Sequence, residues 1–203
     1  MQKTYLCIDL KSFYASVECV ELGLDPFEVN LVVADPTRGG GAITLAATPV
    51  IKKLGVSSRG RIFEIDPKIE YMITPPRMHL YMEYSCKVYK VFLEFIAKED
   101  IHVYSIDESF LDVTSYLKLY QVNAKNLAKK ILDRIYEKTG LTATVGIGTN
   151  LYLAKIAMDI SAKHNADRMA YLNEDLYRQT LWYHVPLTDF WSLEMEQKED
   201  YTN

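Results

Sequence analysis

The segment Ile101-His102-Val103-Tyr104-Ser105-Ile106-Asp107-Glu108-Ser109-Phe110-Leu111-Asp112-Val113-Thr114 decides how the chain is read. It contains two strand-like pieces, Ile101–Ile106 and Ser109–Thr114, with Asp107-Glu108 at their junction. β-Branched and aromatic residues fill both pieces, the composition of half-buried strands. An acidic pair between two apolar strands loses hydration unless a cation or a donor meets it.

Outward from this hairpin the chain is helical on both sides. Upstream, Met82, Cys86, Tyr89, Leu93 and Ile96 recur every three or four residues, which predicts an amphipathic helix from Leu80 to Ala97. Downstream, a helix is expected over Asn123–Lys138 with Leu127, Ala128, Ile131 and Ile135 inward and Gly140 as its stop. A strand, Thr142–Ile147, follows, and Asn150 caps a helix over Leu151–Ala162. At the start of the chain, residues 5–10 form a short buried strand that carries Asp9 near its end. Ser12 is the expected cap of the next helix, in which Phe13, Val17, Val20 and Leu24 share a face.

Between Asp25 and Pro76 the texture changes. Glycine and proline punctuate short apolar pieces, Leu31–Ala34 and Ala42–Ala46, and a short helix over Val50–Leu54 ends at Gly55. This is a small inserted subdomain. Without it the order is β-α-α-β-β-α-β-α, an α+β chain with a ferredoxin-like split βαβ core: an antiparallel sheet with covering helices.

The 203 residues suffice for one large or two small domains with a real core. No apolar run is long enough to cross a bilayer and no signal peptide is visible, so the expected location is cytoplasmic, with no membrane partner. The three cysteines, Cys7, Cys19 and Cys86, lack metal or disulfide spacing and are expected to be buried free thiols. The four histidines do not pair at ligand spacing. A net charge of −4 argues against a complete nucleic-acid-binding protein, and less strongly against a catalytic fragment rich in metal-binding carboxylates.

If their strands are neighbours in one sheet, Asp9, Asp107 and Glu108 converge at one rim. Oxygen ligands without nitrogen or sulfur favour Mg²⁺ or Mn²⁺ over zinc. Two such ions roughly 3.5–4 Å apart can activate a 3′-hydroxyl and stabilise a leaving pyrophosphate. An ordinary turn also carries Asp-Glu, and an ordinary helix cap also places an Asp at a strand end; spacing alone leaves these readings open.

Four segments then carry a resemblance: Cys7–Glu18, Ala46–Val56, Val103–Thr114 and Thr144–Asp159. With Cys-Ile-Asp-Leu-Lys-Ser-Phe-Tyr in the first, Tyr-Ser-Ile-Asp-Glu-Ser in the third and Ala-Lys-Ile-Ala in the fourth, the chain resembles the Y-family translesion DNA polymerases, most closely their UmuC-like branch. The match runs over most of residues 5–191. It implies a palm at 1–25 and 75–165, a fingers insert at 26–74, and an incomplete helical thumb beginning at 166–203. It also implies template-directed nucleotidyl transfer from dNTPs on primer-template DNA, in SOS-type DNA repair, with two Mg²⁺ ions.

By the same resemblance Asp9, Asp107 and Glu108 are the metal-binding carboxylates, and the carbonyl of Leu10 is a further ligand. The backbone amides of Phe13 and Tyr14 face the triphosphate. The Tyr14 ring is the steric gate that rejects a 2′-hydroxyl. Lys52 and Lys155 are point charges on the triphosphate, and Thr48 offers it a hydroxyl. The fingers segment departs from the family: Pro49 stands where many members have tyrosine, and Ala46 where they have threonine or serine. Asp112 and Asp159 are read as structural or solvated.

Trp182–Trp191 resembles the start of the thumb, where a Gly-x-Gly turn is expected next. The chain instead reads Ser192–Asn203, acidic and glycine-free, and is expected to be disordered there. Without thumb and little finger the chain is expected to grip DNA weakly. A sliding clamp is an implied partner only through C-terminal regions that this sequence does not contain, and oligomeric state is not legible. Two other readings compete: a catalytically weak remnant that only binds nucleotide or DNA, and a different palm-fold enzyme such as a nucleotidyl cyclase. Phe13-Tyr14 and Ser-Ile-Asp-Glu-Ser speak against the cyclase.

Overall fold

The structure, a computed structural model, describes residues 2–193. In chain order the elements are β1 (Tyr5–Leu10), α1 (Phe13–Glu21), β2 (Leu31–Val33), β3 (Ala46–Ala47), α2 (Pro49–Lys53), β4 (Met72–Thr74) and α3 (Met78–Leu93). They continue with β5 (Ile101–Val103), β6 (Glu108–Asp112), α4 (Thr114–Leu119), α5 (Ala124–Thr139), β7 (Ala143–Gly148), α6 (Leu151–Ile156), β8 (Met169–Leu172) and α7 (Glu174–Thr180). Two compact units result. One contains the chain up to Asp9, Lys90–Arg134 and everything from Ala143; the other contains Leu10–Tyr89 and Ile135–Thr142.

The first unit is built on a five-stranded sheet of order β5-β6-β1-β7-β8. Its first four strands follow the ferredoxin-like order. β1 and β5 each run antiparallel to β6, but β8 runs parallel to β7, so the sheet is mixed rather than wholly antiparallel. Met169–Leu172 thus joins the sheet although it lies beyond the expected end of the palm at 165. β7 is buried at every position, and its two glycines let α6 lie directly on it. A Cβ on Gly146 would strike the Ala154 carbonyl, and one on Gly148 would strike the Ala154 amide. Asn150 caps α6 by accepting a 2.8 Å hydrogen bond from the Leu153 amide. Beyond Ile156 the helix widens into a π turn over Ala157–Ser161 and then tightens to 3-10 geometry at Ala162–His164.

The second unit holds a three-stranded sheet of order β3-β2-β4, in which β2 is antiparallel to β3 and parallel to β4. Val32, Ala47, Ile51, Val56 and Ile65 form its small core. In the same unit α1 and α3 are tied by a charged knot. Glu18 on α1 accepts from Arg77 Nη2 at 2.6 Å, from Arg77 Nε at 3.1 and 3.2 Å, and from the Tyr81 hydroxyl at 2.7 Å.

Several sequence expectations need correction. α3 buries Tyr81, Tyr84, Val88, Val91 and Phe92, while Met82, Cys86 and Leu93 are exposed. The buried stripe is therefore offset from the expected one, because two tyrosines carry the core and place their hydroxyls on Glu18 and Glu21. Ser12 precedes α1 in the left-handed region (φ 50°) and makes no side-chain cap bond. Cys7 and Cys19 are buried, but Cys86 is not. α5 matches its expected face, with Leu127, Ala128, Ile131 and Ile135 at 0–1% exposure. Gly140 (φ +69°) supplies the left-handed residue after its end. Residues 194–203, most of the tail expected to be disordered, lie outside the described residues. No described helix is long and apolar enough to cross a membrane.

Candidate active site

The acids at the rim of the larger sheet come together through strand register. β1 and β6 pair Tyr5 with Asp112 and continue stepwise to Asp9 opposite Glu108. The last pair of the ladder thus puts two carboxylates side by side on neighbouring strands, at the separation of cross-strand partners. Asp107 immediately precedes β6, in a turn where the amides of Tyr104 and Ser105 both donate to the Glu108 carbonyl at 3.0 Å. The Ser105 hydroxyl donates to Asp107 Oδ1 at 2.7 Å. That fixes one oxygen of Asp107 and gives Ser105 a positioning role.

Glu108 is 8% exposed and has two partners. Lys155 Nζ donates to Oε2 at 2.8 Å, and the Cys7 thiol donates to Oε1 at 3.3 Å. Burial, and then the negative charge of Glu108, pushes the Cys7 thiol well above its usual range. Lys155 is itself buried, also touches Asp159 at 3.0 Å, and is pushed up by hydrogen bonds to Glu108 and Asp159, against the opposing effect of burial. Asp159 then bonds Lys163 at 2.8 Å, and Lys163 reaches Asp9 at 3.7 Å. Burial pushes the Asp9 carboxyl up to about 6, with Lys163 opposing and Asp107 and Glu108 adding to the rise.

This arrangement tests the expected metal site. The donors are carboxylate oxygens, the ligand chemistry of Mg²⁺ and Mn²⁺. Asp9 is desolvated and repelled by two acidic neighbours, so added positive charge there would be favourable. Among the described residues, no three His, Cys, Asp or Glu side chains already lie in ion-holding geometry. Lysines balance the acids instead. The residue types and their placement fit a divalent cation, provided the side chains adjust.

The remaining expected site residues belong to the second unit. Leu10 ends β1 and is buried. Phe13 is buried, and Tyr14 stacks on Tyr81 with ring centroids 4.3 Å apart and planes 13° from parallel. Lys52 Nζ donates to the Ser12 hydroxyl at 3.1 Å. Thr48 does not suit its expected role. It is fully buried, its hydroxyl donates to the Val29 carbonyl at 2.7 Å, and it accepts from the Leu31 amide at 3.1 Å. Its only hydroxyl proton is committed to holding the insert together, so nothing remains for a phosphate.

Sequence reasoning missed Cys7 and Lys163 and set Asp159 aside. A signal existed: Lys155, Asp159 and Lys163 are spaced at i, i+4 and i+8, the spacing of a helix-face charge ladder.

A ferredoxin-like sheet with a small inserted sheet and acids in register at one rim defines a polymerase-type palm fold. The chain belongs to the impB/mucB/samB family, whose model matches residues 8–159. It is 37% identical over 195 residues to UvrX of Bacillus subtilis (strain 168), covering 95% of this chain and 45% of that protein. It is 36% identical over 185 residues to DNA polymerase IV 2 of the same organism, covering 89% and 43%. Among solved structures, DinB from Sulfolobus solfataricus superposes with a TM-score of 0.77 at 25% identity, covering 97% of this chain and 56% of that one. An insertion ternary complex of Dbh DNA polymerase gives 0.78 at 25% identity, covering 98% and 58%. The chain thus spans about half the length of these relatives.

Proposed function

We propose that the chain supplies the palm and fingers of a Y-family DNA polymerase that adds dNTPs to a primer in translesion DNA repair. The observation that carries this reading is the register of Asp9 opposite Glu108 with Asp107 adjacent, three acids from two distant parts of the sequence at one sheet rim. Asp9, Asp107, Glu108 and the Leu10 carbonyl would hold two Mg²⁺ ions, with Mn²⁺ as a substitute. Bound there, the ions supply activation of a 3′-hydroxyl and neutralisation of the leaving pyrophosphate. Lys155 would bring a point charge to the triphosphate once it leaves Glu108, and Lys52 would do the same from the fingers. Phe13 and Tyr14 would offer backbone amides to the phosphates. The Tyr14 ring, braced by its stack on Tyr81, would exclude a 2′-hydroxyl.

On this reading the partners are primer-template DNA and dNTP, and the location is cytoplasmic. The similarity to DNA polymerase IV 2 and to a Dbh ternary complex supports the substrate class. Primer extension by the purified chain at high protein concentration, compared with Asp107→Ala, tests it. We expect single-nucleotide insertion above the Asp107→Ala background. Insertion identical in both proteins would reject catalysis by this site.

A second reading keeps the fold and nucleotide affinity without useful catalysis. It is favoured by the lysine-closed state of the acids, in which Glu108 bonds Lys155. Equal backgrounds together with retained dNTP binding would select it.

A further inference from the structure

The chain carries a second lysine, Lys163, at the acidic rim beside Lys155. Lys155 is sunk in the fold, with a side chain 9% exposed and short contacts to Glu108 and Asp159. Lys163 is different: its side chain is 42% exposed, its short contact is to Asp159 at 2.8 Å, and its contact to Asp9 is looser at 3.7 Å. One lysine is fixed, and the other can leave Asp9 without losing its anchor. Asp159 holds both, at i+4 from the first and i−4 from the second.

Backbone geometry makes this placement. Lys163 follows a π turn at Ala157–Ser161, inserted between α6 and the short 3-10 turn Ala162–His164. A π turn has i→i+5 hydrogen bonds and more residues per turn than an α-helix, so residues eight apart drift less around the axis. Lys163 therefore stays on the side of the helix that carries Lys155 and Asp159.

We propose that Lys163 is an internal counter-cation of the carboxylate rim. It pairs with Asp9 when no divalent ion is present and retreats onto Asp159 when one binds, so that ion binding competes with it and Lys163 sets the affinity. This rests on the metal reading of Asp9, Asp107 and Glu108. It makes Lys163 a positioning residue whose removal strengthens ion binding, the opposite of what loss of a ligand or of a merely structural group would do.

Two measurements on the full chain test it. The first is a double-mutant cycle between Asp9→Asn and Lys163→Gln, read by denaturant unfolding in EDTA. A pair of this exposure should give a non-additive change of about two- to five-fold in the folding equilibrium. Additive effects would overturn the inference and leave the metal reading standing. The second is Mn²⁺ titration followed by electron paramagnetic resonance. Lys163→Gln should bind Mn²⁺ about three- to ten-fold more tightly than wild type, the range expected when a neighbouring positive charge is removed at intermediate dielectric. Lys163→Arg should bind like wild type and serves as the fold control. Equal affinity in wild type and Lys163→Gln would overturn the inference alone. Failure of both to bind Mn²⁺, with the Asp9–Lys163 coupling intact, would remove the metal reading and the displacement with it.

Discussion

Glu18 and Glu108 are both buried carboxylates, 2% and 8% exposed, and they are satisfied in different ways. Glu18, in the smaller-sheet unit, receives a bidentate Arg77 and the Tyr81 hydroxyl, which occupy both of its oxygens with strong donors. Glu108, in the larger-sheet unit, receives one lysine ammonium and one thiol, a weak donor. The first carboxylate is saturated and its charge is locked to a guanidinium that never loses its proton. The second keeps acceptor capacity and holds a partner that can exchange. The difference separates a charge that ties two helices together from one that, on the proposed reading, can exchange its lysine for a ligand.

The largest effect should come from breaking the saturated knot. Arg77→Ala leaves Glu18 buried and uncompensated. It should cost about 3 kcal/mol in urea unfolding, the lower end for a broken buried pair, since half of the Arg77 side chain is in water. A loss below about 1 kcal/mol would show that Glu18 is not locked as described.

The next effect concerns the rim, and its sign is reversed. The Asp9 carboxyl is raised from its ordinary 3.8 to about 6, so ionised Asp9 is disfavoured by folding. Between those values the folded chain keeps a proton that the unfolded chain has lost, so wild type should lose stability as pH rises. The loss levels off as pH passes through the folded value of about 6 and is nearly complete about a unit above it. Asp9→Asn in EDTA should therefore match wild type well below pH 4 and exceed it by about 3 kcal/mol at pH 7. A less stable variant at pH 7 would mean that the Lys163 charge outweighs the burial of Asp9.

Glu108→Gln should cost only about 1 kcal/mol, because Lys155 keeps its 3.0 Å contact with Asp159. A cost equal to that of Arg77→Ala would erase the contrast between the two glutamates. The smallest effect is chemical. In the native chain at pH 8, iodoacetamide should modify exposed Cys86 and spare Cys7 and Cys19, both buried, with the Cys19 thiol pushed up to about 11 by burial. Labelling of Cys7 without denaturant would show that the Glu108 side of the rim opens readily.

What the sequence disclosed follows the same division. The α5 face was legible because Leu127, Ala128, Ile131 and Ile135 are aliphatic or small and repeat at helical spacing. The α3 face was not, because Tyr81 and Tyr84 look like surface residues until their hydroxyls find Glu18 and Glu21. The acids Asp9, Asp107 and Glu108 stood out from their setting in apolar strands, and their meeting at one rim is in the register of β1 and β6. Their lysine partners were only half visible. Lys155 stood in a recognisable motif, but Asp159 was read as structural or solvated and Lys163 drew no reading, since nothing in the sequence announces a π turn. The pairing of β8 with β7 was also hidden, because parallel neighbours joined by a helix leave no local turn signal.

On the polymerase reading the acidic rim accepts divalent cations together with a nucleotide. The most direct test is calorimetric titration of dATP into the chain with and without Mg²⁺, for wild type and Glu108→Gln. Mg²⁺-dependent binding by wild type, lost in Glu108→Gln, is expected. Binding that is the same without Mg²⁺, or unchanged in the variant, would contradict that reading.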